Sequence, residues 1–207
     1  NSTAFRFLPP VTLPDLAAFL VIQMEELGEI AELIGRKSDS LLWKERAEQM
    51  LGKMLEKLFR DNRPLAIQTV TGEVTENESL ILYLPIVLGG RLPAGVRSYL
   101  IEQLKSDRFY TEHGLATESP SSSLYESDGY WRGPIWAPST MLLADGLWEC
   151  GEKEFVRDIT ERFCRNVSRS GCAENFDALT GAGLRDRAYT WTASVMLVMA
   201  HEYLKEE

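Results

Sequence analysis

Leu16, Leu20, Met24, Leu27, Ile30 and Ile34 recur at helical spacing, and Glu25, Glu26, Glu29 and Glu32 fall on other faces. The pattern predicts an amphipathic helix that buries this stripe. Thr12-Leu-Pro-Asp15 supplies the start: a capping hydroxyl, an early proline and an acid three residues on. Gly35 supplies the stop. A second helix is predicted from Asp39 to Phe59, with Ala47, Leu51, Met54, Leu55 and Leu58 as its stripe. The loop between them is short, so the two form an antiparallel hairpin. The pattern recurs downstream, where Met141 to Trp148 stops at Gly151 and Glu154 to Val167 restarts through Phe155, Ile159 and Phe163. "ELIGRKSDS" and "WECGEKEFV" share the order helix, glycine, charged restart, a weak internal repeat of α-hairpins. Shorter helices are predicted around Ser79 to Leu88 and Ala94 to Lys105. The last helix, Tyr189 to Leu204, is apolar on nearly every face through its middle, which predicts burial on all sides. Inner helices ringed by outer amphipathic ones follow from these readings.

Two segments lack helical periodicity. Pro64 to Asn77 has room for a short hairpin. His113 to Gly129, "HGLATESPSSSLYESDG", has the Ser, Gly, Pro and Asp of a surface loop. It is long for a compact domain, and long structureless loops are usually functional or disordered.

Composition narrows the function classes. The chain has 207 residues, 44% hydrophobic and 26% charged, ordinary for one globular domain. With 22 basic against 31 acidic residues the formal charge is −9, which argues against a nucleic acid or anionic membrane partner. No apolar run approaches the roughly 18 residues of a membrane span. Cys150, Cys164 and Cys172 show no CxxC spacing and are odd in number, so they read as buried free thiols of a reducing, cytoplasmic setting. No metal or cofactor is expected. His113 and His201 are the only histidines and stand apart, and no phosphate-binding glycine loop or GxSxG elbow occurs. His201 reads as a core or rim residue of the last helix.

Two constellations carry chemistry. In "GYWRGPIWAPSTM", Pro134 and Pro138 suit a helix entry, which leaves Tyr130, Trp131 and Arg132 on the loop before it. Flat aromatic rings stack on the C–H faces of sugars, and a guanidinium hydrogen-bonds hydroxyls, so this is the composition of a carbohydrate subsite. An aromatic cluster closing one end of the core, with Arg132 as an ion-pair partner, accounts for the same residues. In "CAENFDALTGAG", Glu174 lies in a Gly-, Asn- and Thr-rich loop, away from any solvated helix face. That loop leads into the last helix, whose first turn carries Tyr189, Trp191 and Thr192. If the helices after these two loops are parallel neighbours, the loops meet at one end. A carboxylate among aromatics there can serve as a general base; a turn-stabilising acid is the alternative.

The residues also resemble a known family. "YWRGPIW", followed by a helix ending "LLADGLWECG", looks like the signature of glycoside hydrolase family 63 and its bacterial relatives. "AENFDALTGAG" before "YTWTASVMLVM" is similar to that family's Glu-containing loop and closing Trp-Thr helix, and "LPDLAAFLVIQMEELGEIAELIG" before "WKERAEQM" resembles its helix pair. The resemblance runs through essentially the whole chain. It implies an all-α (α/α)6 barrel and inverting hydrolysis of an α-linked glucoside or related small saccharide. It makes Glu174 the general base, Tyr130, Trp131, Gly133 and Trp136 the sugar-binding wall, and Trp191 part of the rim. Asn175-Phe176 after Glu174 departs from the relatives and leaves the substrate class open.

The chain holds about seven predicted helices, fewer than a complete barrel of this kind. Asn1-Ser2 resembles the tail of the family's stretch bearing the general acid, which puts that acid immediately before Asn1. Residues 1–207 therefore read as the C-terminal portion of one catalytic domain, inactive alone, whose partners are a small saccharide and the enzyme's remaining N-terminal part. A non-catalytic carbohydrate-binding or structural domain of α-hairpins is the alternative. A sugar epimerase is disfavoured, because its chemistry calls for paired histidines.

Overall fold

A computed structural model describes residues 10–205. The expectation placed on Asn1-Ser2 lies outside them. Six α-helices occur among the described residues: α1 (Pro14–Leu33), α2 (Lys37–Leu58), α3 (Ala94–Lys105), α4 (Ala137–Glu149), α5 (Lys153–Ser170) and α6 (Thr190–Tyr203). A 3₁₀ segment, Leu80–Arg91, stands between α2 and α3. Pro85 lacks the N–H that an α-helix needs there, and Gly89 (φ 50°, ψ −123°) kinks the segment near its end.

Both predicted stops form. Gly35 takes φ 77°, its N–H bonds Glu32 O (3.0 Å) and the Arg36 N–H bonds Ala31 O (2.8 Å). Gly151 repeats this at φ 86°, with Gly151 N–H to Trp148 O (2.9 Å) and Glu152 N–H to Leu147 O (3.0 Å). The predicted start differs. Pro14 opens α1, but the cap is Leu13 and no side chain bonds the first turn. Thr12 instead belongs to a short strand, Val11–Thr12, paired antiparallel with Ala66–Gln68. Ala66–Gln68 also pairs with Val74–Thr75, the hairpin expected between Pro64 and Asn77.

α1 and α2 form the predicted antiparallel hairpin, and α1 also packs on the 3₁₀ segment. That segment packs on α3 and α4, and α4 on α5 and α6. The inner row is thus α1, the 3₁₀ segment, α4 and α6, backed by α2, α3 and α5. This is the all-α arrangement of an (α/α)6 barrel, present in part. α4 approaches the 3₁₀ segment closely at Gly146, where a Cβ would lie 2.5 Å from the Ile86 carbonyl oxygen.

Two predicted faces are corrected. α1 buries Pro14, Ala18, Val21, Gly28 and Ala31, while Leu16, Ile30 and Ile34 of the predicted stripe are exposed. The small residues admit α2 closely; Gly28 stands against the Lys44 side chain. α6 buries Thr192, Val195, Met199 and Tyr203 but exposes Leu197 and Val198, because α4 and α5 cover only one side of it. His201 is exposed beside Glu202 and Lys205, not in the core. The stripes of α2 and α5 are as predicted, apart from Leu55, which is half-buried.

Gly146→Ala drives a methyl group into the 3₁₀ backbone, an overpacking that costs about 1–3 kcal/mol. A lowered melting temperature by calorimetry is the expected result; an unchanged one removes this contact from the fold's constraints.

Candidate active site

The loops leading into α4 and α6 do meet. Ile135 and Phe176 exchange both backbone hydrogen bonds (2.7 and 3.0 Å). Tyr189 N–H donates to Cys172 O (2.8 Å), Glu174 N–H to Asp186 O (2.7 Å) and the Thr192 hydroxyl to Ala173 O (2.6 Å). The Glu174 backbone is thus tied to Asp186 ahead of α6, and its neighbours Ala173 and Phe176 are tied to the first turn of α6 and to Ile135 ahead of α4. Its carboxylate is half-buried and faces Tyr130. Loss of solvent, then the charge and hydrogen bond of Glu174, raise the Tyr130 phenol above its ordinary range. Arg185 lies 5.1 Å over the Tyr130 ring and pairs with Asp128 (2.7 Å).

The aromatic residues divide into a wall and its support. Trp131 stacks on Trp136 with centroids 4.3 Å apart and planes 10° from parallel. Tyr130 and Trp191 meet Trp136 edge-on at 4.7 and 5.5 Å, and Tyr189 packs on Trp191 at 4.9 Å. Trp136 itself has 0% exposure, and its indole N–H donates to Tyr130 O (2.8 Å). It supports the wall and presents no surface to a ligand, contrary to its expected place. Arg132 is likewise committed elsewhere: it bonds Leu124 O (3.1 Å) and Glu126 (2.7 Å), and so closes its own loop. Gly133 is needed for packing, since a Cβ there would stand 2.2 Å from Glu126 O. Tyr130, Trp131 and Trp191 are each half-buried and keep part of their surface open. Trp131 also lines an apolar cavity of about 200 Å³ with Phe19, Leu80, Leu84, Pro138 and Leu142.

The loop from His113 is not wholly a surface loop. Residues 113–119 are buried. Leu80 N–H bonds Thr117 O (2.9 Å) and Ser119 N–H bonds Glu78 O (3.1 Å), tying this loop to the one before the 3₁₀ segment. Thr117 also donates its hydroxyl to Pro134 O (2.8 Å) and accepts from Gly133 N–H (3.1 Å). Between these ties sits Glu118, which sequence reasoning missed because nothing periodic marks a loop residue. Its exposure is 0%, one oxygen accepts the Ser122 hydroxyl (2.6 Å) and the other has no hydrogen-bond partner. Burial pushes its pKa up to about 7; the Ser122 hydrogen bond opposes the rise, Glu78 adds to it, and Arg108 and Arg132 oppose it. Asn175, beside Glu174, is also fully buried, with neither side-chain polar atom paired.

Among the described residues no group of three His, Cys, Asp or Glu is placed to hold a metal, and no helix is long and apolar enough to cross a membrane. The three cysteines are unpaired and half-buried, less enclosed than expected.

A family model described as the mannosylglycerate hydrolase MGH1-like glycoside hydrolase domain matches residues 3–192. The chain belongs to this family. It is 27% identical over 187 residues to a mannosylglycerate hydrolase of Thermus thermophilus, covering 88% of this chain and 41% of the relative. It is 27% identical over 190 residues to a glucosylglycerate hydrolase of Mycolicibacterium hassiacum, covering 87% and 42%. The chain thus spans about two fifths of the length of these relatives. Among solved structures, a glycoside hydrolase family 63 mannosylglycerate hydrolase of Thermus thermophilus, in complex with glucose, superposes with TM-score 0.76 at 22% identity, over 91% of this chain and 47% of that one. A neutral trehalase of Saccharomyces cerevisiae superposes with TM-score 0.69 at 16% identity, over 94% and 38%. These likenesses bear out the partial (α/α)6 barrel and the family resemblance carried by "YWRGPIW".

Trp136→Ala removes a fully enclosed ring and is expected to cost about 3–5 kcal/mol of stability. Trp131→Ala is expected to cost less and to weaken sugar binding, measured by calorimetric titration. Unchanged affinity with a large fall in melting temperature takes Trp131 off the wall.

Glu118 makes stability depend on pH. Its folded pKa is raised, so between the ordinary carboxylate range and about 7 the folded state holds a proton that the unfolded state has lost. Stability on this account falls as pH rises through that window, by on the order of 2 kcal/mol. Urea unfolding from about pH 5 to 8 is expected to show this fall relative to Glu118→Gln, and parallel curves for the two proteins refute it.

Proposed function

We propose that the chain carries the base-bearing part of an inverting glycoside hydrolase acting on an α-linked glucoside or a related small saccharide. The observation that supports this best is Glu174, fixed through its backbone and set beside Tyr130, whose motif also carries Trp131 with part of its surface open. Stacking on those rings would hold the sugar. Glu174 would take a proton from water as the water oxygen bonds the anomeric carbon and the glycosidic bond breaks. The leaving oxygen needs a proton from a second acid, about 6.5–9.5 Å from the base in inverting enzymes. The names of the relatives, mannosylglycerate and glucosylglycerate hydrolase, favour a hexose joined to a small polar aglycone. The remaining part of the enzyme would cover Leu16, Ile30, Leu33 and Ile34 of α1 and Leu197 and Val198 of α6, all exposed here. Three unpaired thiols favour a cytoplasmic setting.

A structural role for the aromatic cluster is the second reading. It is favoured by the commitment of Arg132, Gly133 and Trp136 to packing. Assay of the complete enzyme separates the two: Glu174→Gln is expected to lose at least about a thousandfold in kcat while retaining sugar affinity. Wild-type turnover in the variant eliminates Glu174 as base. Proton NMR early in turnover of an α-linked substrate is expected to show the β-anomer, and α-anomer first contradicts inversion. The 207-residue chain alone is expected to be inactive. A stable monomer of it with enzyme-like turnover would defeat that expectation.

A further inference from the structure

The hairpin that begins at Glu174 returns to it. Asn175–Phe176 pairs antiparallel with Gly183–Leu184, with Asn175 opposite Leu184. This register brings the residues flanking the two strands together, and Glu174 N–H donates to Asp186 O (2.7 Å). Arg185 thus sits next to the backbone group that fixes Glu174. Its side chain crosses to the other loop. Nη2 donates to Asp128 Oδ1 (2.7 Å) and to Asp128 O (3.2 Å), and the guanidinium lies 5.1 Å over the Tyr130 ring. One side chain therefore joins the hairpin that bears Glu174 to the loop that bears the phenol.

That phenol hydrogen-bonds the Glu174 carboxylate. Trp136 and Trp131 brace the Tyr130 ring from its own loop, in T-shaped contacts at 4.7 and 6.2 Å. Arg185 reaches the ring from the Glu174 side. Backbone conformation marks the same pair. Among the described residues, positive φ outside glycine occurs at Asp61, Asn62, Tyr130 and Arg185. Asp61 and Asn62 make the two-residue turn between Phe59–Arg60 and Arg63–Pro64, a place where Asp and Asn are at ease. Tyr130 (φ 61°) and Arg185 (φ 62°) have no such reason, and these two touch. A guanidinium bonded directly to a carboxylate holds it ionised and weakens it as a base. Anchored on Asp128 and laid over the ring, the Arg185 charge can fix the phenol without that penalty.

We propose that Arg185 is a positioning residue for the Glu174 carboxylate, acting through the Tyr130 ring with Asp128 as its anchor. The inference deepens the reading of Glu174 as general base, and only its kinetic part rests on that reading.

Carbon-13 NMR of labelled tyrosine follows the Tyr130 phenol in the 207-residue chain and needs no turnover. Loss of solvent, the charge and hydrogen bond of Glu174 and the nearby Tyr189 raise this phenol, and Arg185 opposes them. Glu174→Gln is therefore expected to lower the midpoint of its titration. In an Arg185→Gln background the same change is expected to lower it by about half as much or less, because the phenol is no longer held on the carboxylate. A guanidinium that acts only as a charge gives additive shifts instead. The Arg185–Asp128 pair is exposed, so the melting temperature is expected to change little. In the complete enzyme, Arg185→Gln is expected to lower kcat about tenfold with KM within about twofold, and Arg185→Lys to recover most of the loss. Additive shifts at Tyr130, or an unchanged kcat in Arg185→Gln where Glu174→Gln is inactive, overturns the proposal. Wild-type turnover in Glu174→Gln removes the base reading instead, and the Tyr130 shifts then decide alone whether Arg185 positions the carboxylate.

Discussion

Backbone hydrogen bonds between successive loops hold the site end of the molecule together. The strand before α1 pairs with the segment following α2 through Val11 and Gln68. The segment before the 3₁₀ helix pairs with the next loop through Glu78, Leu80, Thr117 and Ser119. That loop pairs with the one before α6 through Ile135 and Phe176. Each tie joins one inner helix to its neighbour at the end where both begin, so the row is aligned by its entrances. The ties also permit residues 113–119 to be buried without helix or long strand, since a buried backbone must place its N–H and C=O groups somewhere. Glu174 inherits its position from the last tie, Trp131 from the loop between the second and the third.

The density of aromatic residues in "GYWRGPIWAPSTM" has a mechanical explanation. A ring that is to meet a ligand edge or face must not tilt, and a flat partner behind it prevents tilting better than aliphatic packing does. Trp136 is that partner for Trp131, and Tyr130 and Trp191 brace Trp136 edge-on. The guanidinium of Arg132 and the missing side chain of Gly133 belong to the same support, one latching Glu126 and the other letting its backbone approach.

Local signals are legible where the chemistry is local. The glycine stops at Gly35 and Gly151 and the bounds of α3 follow from residues near the feature, whereas the meeting of the loops before α4 and α6 depended on the two helices being parallel neighbours. Faces are harder. α1 is apolar on two sides, and hydrophobicity points to the side bearing Leu and Ile, although Ala18, Gly28 and Ala31 allow the closer helix approach. α6 is apolar nearly all round, and only its neighbours decide what is covered. In the proposed site, residue type marks Glu174 and the aromatic motif only as candidates. It does not separate Trp131 from Trp136, because contact and support call for the same ring. Glu118 lies beyond reach altogether: its burial comes from pairings between segments distant in the chain, which leave no periodic trace.

Tyr130 adopts φ 61°, a left-handed conformation that side chains other than glycine and asparagine seldom take. Such strain is commonly stored where function needs a group in one place, and it costs on the order of 1–3 kcal/mol. Glycine at this position would relax the backbone, yet it would strip the phenol from Glu174. If Glu174 is the base, stability and activity therefore pull in opposite directions at this one residue. A lineage freed from selection for its reaction has an easy exit here, and selection in the laboratory for heat tolerance alone would be drawn to the same position.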